Sequence, residues 1–319
     1  MIALEQRPIS EIAADALEGL TRSPKALPPK LFYDAEGSAL FEEITRLPEY
    51  YLTRTELSIL EQNADEICRR VGSNASVVEL GAGSARKTRT LIRALARRQL
   101  RVLYVPVDIS RPALAEAQRA LEAEFHCVKV RPVVRDFSDL TFLRSVPAPR
   151  LVLYIGSSVG NLEERDAISL LGGLRRAMSP RDHLLLGTDL VKPRDLLLAA
   201  YDDAAGVTAR FNKNMLARIN RELGGHFDLD AFEHVACWNQ DMSRIEIYLE
   251  SLCHQTVVID ALRLQVSFAA GERLHTENSY KYTIASVRSM LERAGLELEQ
   301  TWTDPCRWFA IHLCGVPRA

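Results

Sequence analysis

Continuous apolar runs alternate with amphipathic stretches through the middle of the chain. Runs near 76–80, 102–107, 150–155 and 183–188 are largely apolar, which predicts strands buried on both sides, and 128–134, with Lys129 and Arg131 among valines, reads as a further strand. Between them lie helical patterns such as Thr88-Arg89-Thr90-Leu91-Ile92-Arg93-Ala94-Leu95. Strand–helix alternation of this kind predicts a parallel sheet covered on both faces. Upstream, residues 1–26 are polar and helical in pattern, and Pro24, Pro28 and Pro29 break them. Helices are expected from Ala39 to Leu47, ended by Pro48, and over 57–74, with Thr53 or Thr55 as cap.

The alternation stops after residue 189. Helical patterns at 195–204 and 208–223 lead to Gly224-Gly225. Four strand-like runs follow at 232–238, 243–249, 256–259 and 262–268, with no helix between them, predicting an antiparallel meander. A helix at 287–294 and runs at 296–302 and 307–313 end the chain. Only Thr303-Asp304-Pro305-Cys306 joins the last two runs, so they are expected to pair antiparallel, since a parallel pair needs a crossover of a dozen residues. The fold class expected is α/β: a Rossmann-like sheet with a terminal antiparallel hairpin, carrying an inserted α+β domain. Residues 56–191 and 282–319 would form the sheet domain, and residues 1–55 and 192–281 a substrate or lid domain.

The strand ends carry the candidate chemistry. The first run ends in Glu79-Leu80-Gly81-Ala82-Gly83, a glycine turn where a ligand can approach the backbone. The helix behind it would offer N-terminal amides to a polar or anionic group. Arg86 stands where a dinucleotide fold would have its third glycine. An acid before the turn, in the pattern Glu-x-Gly-x-Gly, resembles class I S-adenosylmethionine (SAM) methyltransferases. The second run ends in Asp108, about 20 residues on, where nucleotide-binding sheets place the acid that holds ribose hydroxyls. The third ends in Asp136-Phe137, an acceptor for an adenine amino group beside a ring that can lie against the base. The fourth leads into Gly156-Ser157-Ser158-Val159-Gly160-Asn161-Leu162, where Asn161 is either a donor and acceptor for substrate or a helix cap. Tyr33, Tyr50 and Tyr51 fall on segments read as non-helical, either as packing residues with a surface hydroxyl or as site residues.

A net charge of −2 in 319 residues gives no reason to expect nucleic acid or an anionic membrane as partner. No apolar run approaches a membrane span, and the first residues do not read as a secretory signal. Six scattered cysteines are read as reduced core thiols of a cytoplasmic protein, and neither they nor the seven histidines show metal spacing.

Taken together, Pro29-Lys30-x-Phe32-Tyr33-Asp34, Thr45-Arg46-Leu47-Pro48-Glu49-Tyr50-Tyr51, Glu79-Leu80-Gly81-x-Gly83 with Lys87-Thr88, Gly160-Asn161-Leu162, Tyr201-Asp202-Asp203-x-x-Gly206-Val207-Thr208 and Glu277-Asn278-Ser279-Tyr280-Lys281 resemble the histidine-specific SAM-dependent methyltransferases of ergothioneine biosynthesis. The resemblance covers nearly the whole chain. It implies trimethylation of the α-amine of L-histidine to hercynine, with SAM as cofactor; a monomer is expected. Gly81, Lys87, Asp108, Asp136 and Phe137 would hold SAM. Tyr50, Asn161 and Tyr201 would hold the amine and carboxylate and be the catalytic set; Glu277 and Ser279 would read the imidazole, with Tyr33 close by. Without the family, Glu277 reads as a strand-edge carboxylate paired with Lys281 or Arg273. Ile247 stands where the family pattern has methionine, and Tyr280 and Tyr282 add bulk, so a different amino acid or a tryptophan-type amine is the alternative substrate. A non-catalytic SAM-binding module is the alternative from another class.

Overall fold

The computed structural model describes residues 11–83, 85–135 and 140–317. Helices α1 (Glu11–Thr21), α2 (Ala35–Ile44) and α3 (Tyr51–Val71) precede strand β1 (Ser76–Leu80). Helix α4 (Thr88–Ala96), β2 (Val102–Asp108), α5 (Arg111–Glu124), β3 (Val128–Val130), β4 (Val133–Val134), β5 (Arg150–Tyr154), α6 (Glu164–Ala177) and β6 (His183–Asp189) follow. Next come α7 (Arg194–Tyr201), α8 (Val207–Leu223), β7 (Phe232–Asn239), β8 (Arg244–Ser251), β9 (Gln255–Ile259), β10 (Leu264–Phe268) and β11 (Arg273–Tyr280). Helix α9 (Ile284–Arg293), β12 (Glu297–Thr303) and β13 (Phe309–Gly315) complete the order. The chain divides into one unit of Leu52–Lys192 with Tyr280–Ala319, and another of Met1–Tyr51 with Pro193–Ser279.

The first of these is built on the sheet β12-β13-β6-β5-β1-β2-β3, with β4 also on β2. Strands β3, β2, β1, β5 and β6 run parallel, β13 lies antiparallel to β6, and β12 antiparallel to β13. That is the class I methyltransferase order, with the expected terminal hairpin. Every residue of β1 and β5 is buried, because helices cover both faces. On one face Val78, Leu80, Val152, Leu184 and Leu186 pack with Leu171 and Leu174 of α6 and Val287 and Leu291 of α9. The third strand expected at 128–134 is broken into β3 and β4 at Arg131-Pro132, where proline has no N–H for the ladder. Helix α3 starts at Tyr51, so Thr53 and Thr55 lie inside it and cap nothing, and Tyr51 is helical. The buried positions Leu52, Ile59, Leu60 and Ile67 explain the early start, since they extend one apolar stripe. Only Cys68 and Cys314 are core thiols; Cys127 and Cys237 are half-buried, and Cys253 and Cys306 are exposed. Among the described residues no helix is long and apolar enough to cross a membrane.

His312 on β13 is fully buried between Thr188 Oγ1, 2.9 Å from Nε2, and Thr301 Oγ1, 3.0 Å from Nδ1. Burial pushes its pKa down from 6.5 to about 4. The folded state therefore resists protonation, so the stabilisation held above the unfolded value is lost as pH falls from 6.5 through 4. Denaturant unfolding of wild type and His312→Gln at pH 7.5 and pH 4 checks this. The wild-type advantage is expected to shrink by about 3 kcal/mol.

The second unit holds α1, α2, α7 and α8 with two small sheets, β11-β8-β7 and β9-β10. The four-strand meander is thus corrected to two separate sheets. β7 pairs antiparallel with β8 along its length, β9 pairs antiparallel with β10, and β8 takes β11 on its other side. Periodicity could not find β11, because its buried run Thr276-Glu277-Asn278-Ser279 is polar throughout. Asp34 caps α2 by accepting from Gly37 N (2.7 Å), and the same Oδ1 accepts from Asn214 Nδ2 of α8 (2.9 Å).

Candidate active site

The glycine turn of the sheet unit begins where β1 ends. Gly81 and Gly83 have φ of +73° and +48°, values that favour glycine, and Gly81 N donates to Val107 O (2.9 Å), folding the turn against β2. Gly81 is exposed, and a Cβ on Gly83 would meet no atom within 4 Å, so the space over the turn is open to a ligand. Asp108 stands at the end of β2. Its Oδ2 accepts from Gly83 N (3.0 Å) and its Oδ1 from Ser110 N (2.9 Å). Each oxygen keeps a further lone pair, aligned by a backbone amide, which suits two neighbouring hydroxyls. The donor set and the open turn fit a SAM ribose. Asp136 and Phe137 lie outside the described residues.

Glu79 is fully buried and accepts from Tyr104 Oη. Burial pushes its carboxyl up to about 7, against the hydrogen bonds that lower it. Two of the first amides of α4 are used within the chain rather than offered outward: Arg89 N donates to Ala85 O (3.1 Å) and Thr90 N to Lys87 O (3.2 Å). Lys87 Nζ lies 2.5 Å from Oε2 of Glu56, a buried residue of α3 that sequence reading passed over.

The loop after β5 is held tightly. Gly156 and Ser157 both have positive φ (+81° and +58°), and Ser158–Asn161 forms a 3₁₀ turn. Ser157 Oγ accepts from Asp189 N (2.9 Å), and Gly160 N donates to Ser157 O (2.8 Å). A Cβ on Gly160 would lie 2.9 Å from Tyr280 O, so only glycine lets that strand approach. Tyr280 Oη donates to Glu163 Oε2 (2.7 Å), and Tyr282 Oη to Val159 O (3.3 Å). Asn161 therefore ends a turn whose backbone is fixed. It is not the cap of α6, which starts at Glu164 with Glu163 before it.

In the other unit the structure brings together Tyr33, Tyr50, Tyr201 and Ser279. Ring centroids run Tyr33–Phe41 (5.9 Å), Phe41–Tyr50 (6.3 Å) and Tyr50–Tyr201 (6.3 Å), each edge to face. Tyr201 Oη lies 2.7 Å from Ser279 Oγ. Glu277 is buried two positions earlier on β11, hence on the same face of that strand as Ser279. Of its two expected ion-pair partners, Arg273 Nε donates to Glu250 (2.8 Å) and Lys281 Nζ lies 3.0 Å from Asp189. Tyr201 closes α7, and its carbonyl accepts from His234 Nε2 (2.8 Å). Asn212 Nδ2 donates to His234 Nδ1 (2.9 Å), so the ring is the neutral Nε2–H tautomer. Burial lowers its pKa, which keeps it so. Neither His234 nor Asn212 was visible in the sequence, where a lone histidine carries no local sign of its partner. Asp203 of the Tyr-Asp-Asp motif caps α8, accepting from Val207 N (2.9 Å) and Thr208 N (2.7 Å). Burial alone would raise its pKa; hydrogen bonds from Thr208 and Val207 outweigh that and lower it.

A parallel sheet closed by an antiparallel hairpin, with a glycine turn after β1 and an acid ending β2, defines a class I SAM-dependent methyltransferase. The chain belongs to the family described as "Histidine-specific methyltransferase, SAM-dependent", whose model matches residues 12–316. It is 47% identical to a histidine N-alpha-methyltransferase of Mycolicibacterium smegmatis over 95% of this chain and 96% of that one. A histidine N-alpha-methyltransferase of Mycobacterium tuberculosis is 44% identical, covering 94% and 93%. An ergothioneine biosynthesis protein 1 of Schizosaccharomyces pombe is 31% identical over 85% of this chain and 36% of its own length.

Proposed function

We infer that this protein transfers methyl groups from SAM to the α-amine of L-histidine, three in succession, giving hercynine for ergothioneine biosynthesis. The observation that carries the reading is the buried polar face of β11, Glu277 and Ser279, joined to Tyr201 by the 2.7 Å hydrogen bond. A buried carboxylate and hydroxyl on one strand face suit the two nitrogens of an imidazole, one as donor to Glu277 and one served by Ser279. Tyr50, Asn161 and Tyr201 hold the amine and carboxylate, and Tyr33 lies two rings from Tyr50. Gly81, Lys87, Asp108, Asp136 and Phe137 hold the donor. Residues 56–191 and 282–319 are read as the donor domain, and 1–55 and 192–281 as the substrate domain.

When bound, SAM supplies an electrophilic methyl on a good leaving group, so the protein's task is alignment and proton loss. Alignment into near-attack geometry is worth several kcal/mol. The amine reacts only as the free base, and a cationic donor disfavours its protonated form by like-charge repulsion. Hydroxyls of Tyr50 and Tyr201 and the amide of Asn161 aim its lone pair, and water carries the proton away. The substrate is a free small molecule, and the enzyme is read as a cytoplasmic monomer.

Calorimetric titration of histidine in the presence of demethylated SAM product tests the substrate. Histidine is expected to bind, whereas Nα-acetylhistidine and tryptophan are expected not to. A site built on polar pairing rejects analogues that lack the group. Tryptophan binding as tightly as histidine would overturn the histidine assignment.

A further inference from the structure

Glu56 has no accessible surface, yet it is an acid on a helix otherwise rich in exposed charge. Burying a carboxylate is costly unless it is paired and hydrogen-bonded. Here Gly156 N donates to both its oxygens (2.8 and 3.0 Å), and Lys87 Nζ lies 2.5 Å from Oε2. These partners come from positions 31 and 100 residues away in the chain. They stand on the two loops of the donor unit that carry the candidate chemistry, the turn after β1 and the loop leading to Asn161. The surroundings are shaped around the pair. A Cβ on Gly187, in β6, would collide with Glu56 Oε1, and one on Gly156 would lie 3.1 Å from Lys87 Nζ.

We propose that Glu56 is a positioning residue of the donor site: its carboxylate sets the Lys87 ammonium and the Gly156 amide and cancels the lysine's charge, so that the site accepts a sulfonium cation. This deepens the SAM-binding reading and rests on it. The electrostatic consequence is specific. SAM carries a positive sulfur and its demethylated product a neutral one, so an uncompensated ammonium in the site disfavours SAM selectively. A staple that merely held the fold would, when cut, weaken both nucleotides alike.

Calorimetry with SAM and with S-adenosylhomocysteine, on wild type, Glu56→Gln and Lys87→Met, separates the two. Glu56→Gln keeps the shape and an acceptor for Gly156 but removes the ion pair from Lys87, whose charge then meets the more distant field of Glu79, a carboxyl that burial pushes up to about 7. The ratio Kd(SAM)/Kd(S-adenosylhomocysteine) is expected to rise about tenfold. Lys87→Met leaves the carboxylate alone and is expected to move the same ratio the opposite way, whatever contact both nucleotides lose in common. If Glu56→Gln does not fold, Lys87→Met decides by itself. An unchanged ratio in the folded variants would overturn the proposal while leaving the donor site in place. Wild-type protein that bound neither nucleotide would overturn the donor site and this inference with it.

Discussion

Replacing Glu277 with alanine is expected to raise the histidine KM about a hundredfold while leaving SAM affinity within about twofold of wild type. The magnitude is that of one hydrogen bond to a charged group in a site shielded from water. Glu277 is only 9% exposed, on the polar run of β11 that ends at Ser279. On the proposed assignment its loss leaves an imidazole N–H without an acceptor where water has poor access. The residues proposed for the donor, Gly81, Lys87 and Asp108, lie on other elements of the chain, so SAM affinity is expected to hold. Glu277→Gln, which keeps an acceptor oxygen without charge, should fall between the two. Steady-state kinetics varying each substrate in turn, with direct SAM titration, gives both numbers. Equal loss of histidine and SAM would show that Glu277 supports the fold rather than reading the substrate.

Asp108→Ala is expected to weaken SAM binding by at least about a hundredfold. Two effects combine. The carboxylate accepts from the amides of Gly83 and Ser110, so its removal frees the glycine turn as well as the end of β2. On the proposed assignment it also removes the acceptors for two ribose hydroxyls, each a hydrogen bond to a charged group worth about 1.5–3 kcal/mol. Asp108→Asn retains one oxygen for an amide and one donor that cannot replace the other, and should recover only part of the loss. Calorimetry reports the affinity, and thermal unfolding without nucleotide shows how much of the change comes from the turn itself. A SAM affinity unchanged in Asp108→Ala would remove this residue from the donor site.

The sheet and the donor turn were legible in the sequence for a physical reason. Strands buried on both faces leave continuous apolar runs, and at their ends a glycine or an acid interrupts the run. The terminal hairpin was legible from loop length alone, since four residues between 303 and 306 cannot carry a crossover. β11 was not legible, because a strand whose buried residues, Thr276-Glu277-Asn278-Ser279, are polar looks like a loop to any hydrophobic pattern. The same blindness hid Glu56, an acid among acids on α3 until Gly156 and Lys87 meet it in space. Motif residues also divide once their partners are known. Asp34, Gly160 and Asp203 cap helices or let backbones approach, while Tyr201 and Ser279 present hydroxyls to each other within one unit. The sequence pattern gives all of these equal weight, and the hydrogen bonds show which of them hold the scaffold together.

The most direct measurement is incubation with L-histidine and SAM carrying a deuterated methyl group, followed by fragmentation mass spectrometry of the product. The account predicts histidine bearing three labelled methyl groups, all on the α-nitrogen, with an unlabelled imidazole. Label on the ring, or no labelled histidine while another amine takes the methyl, would contradict it.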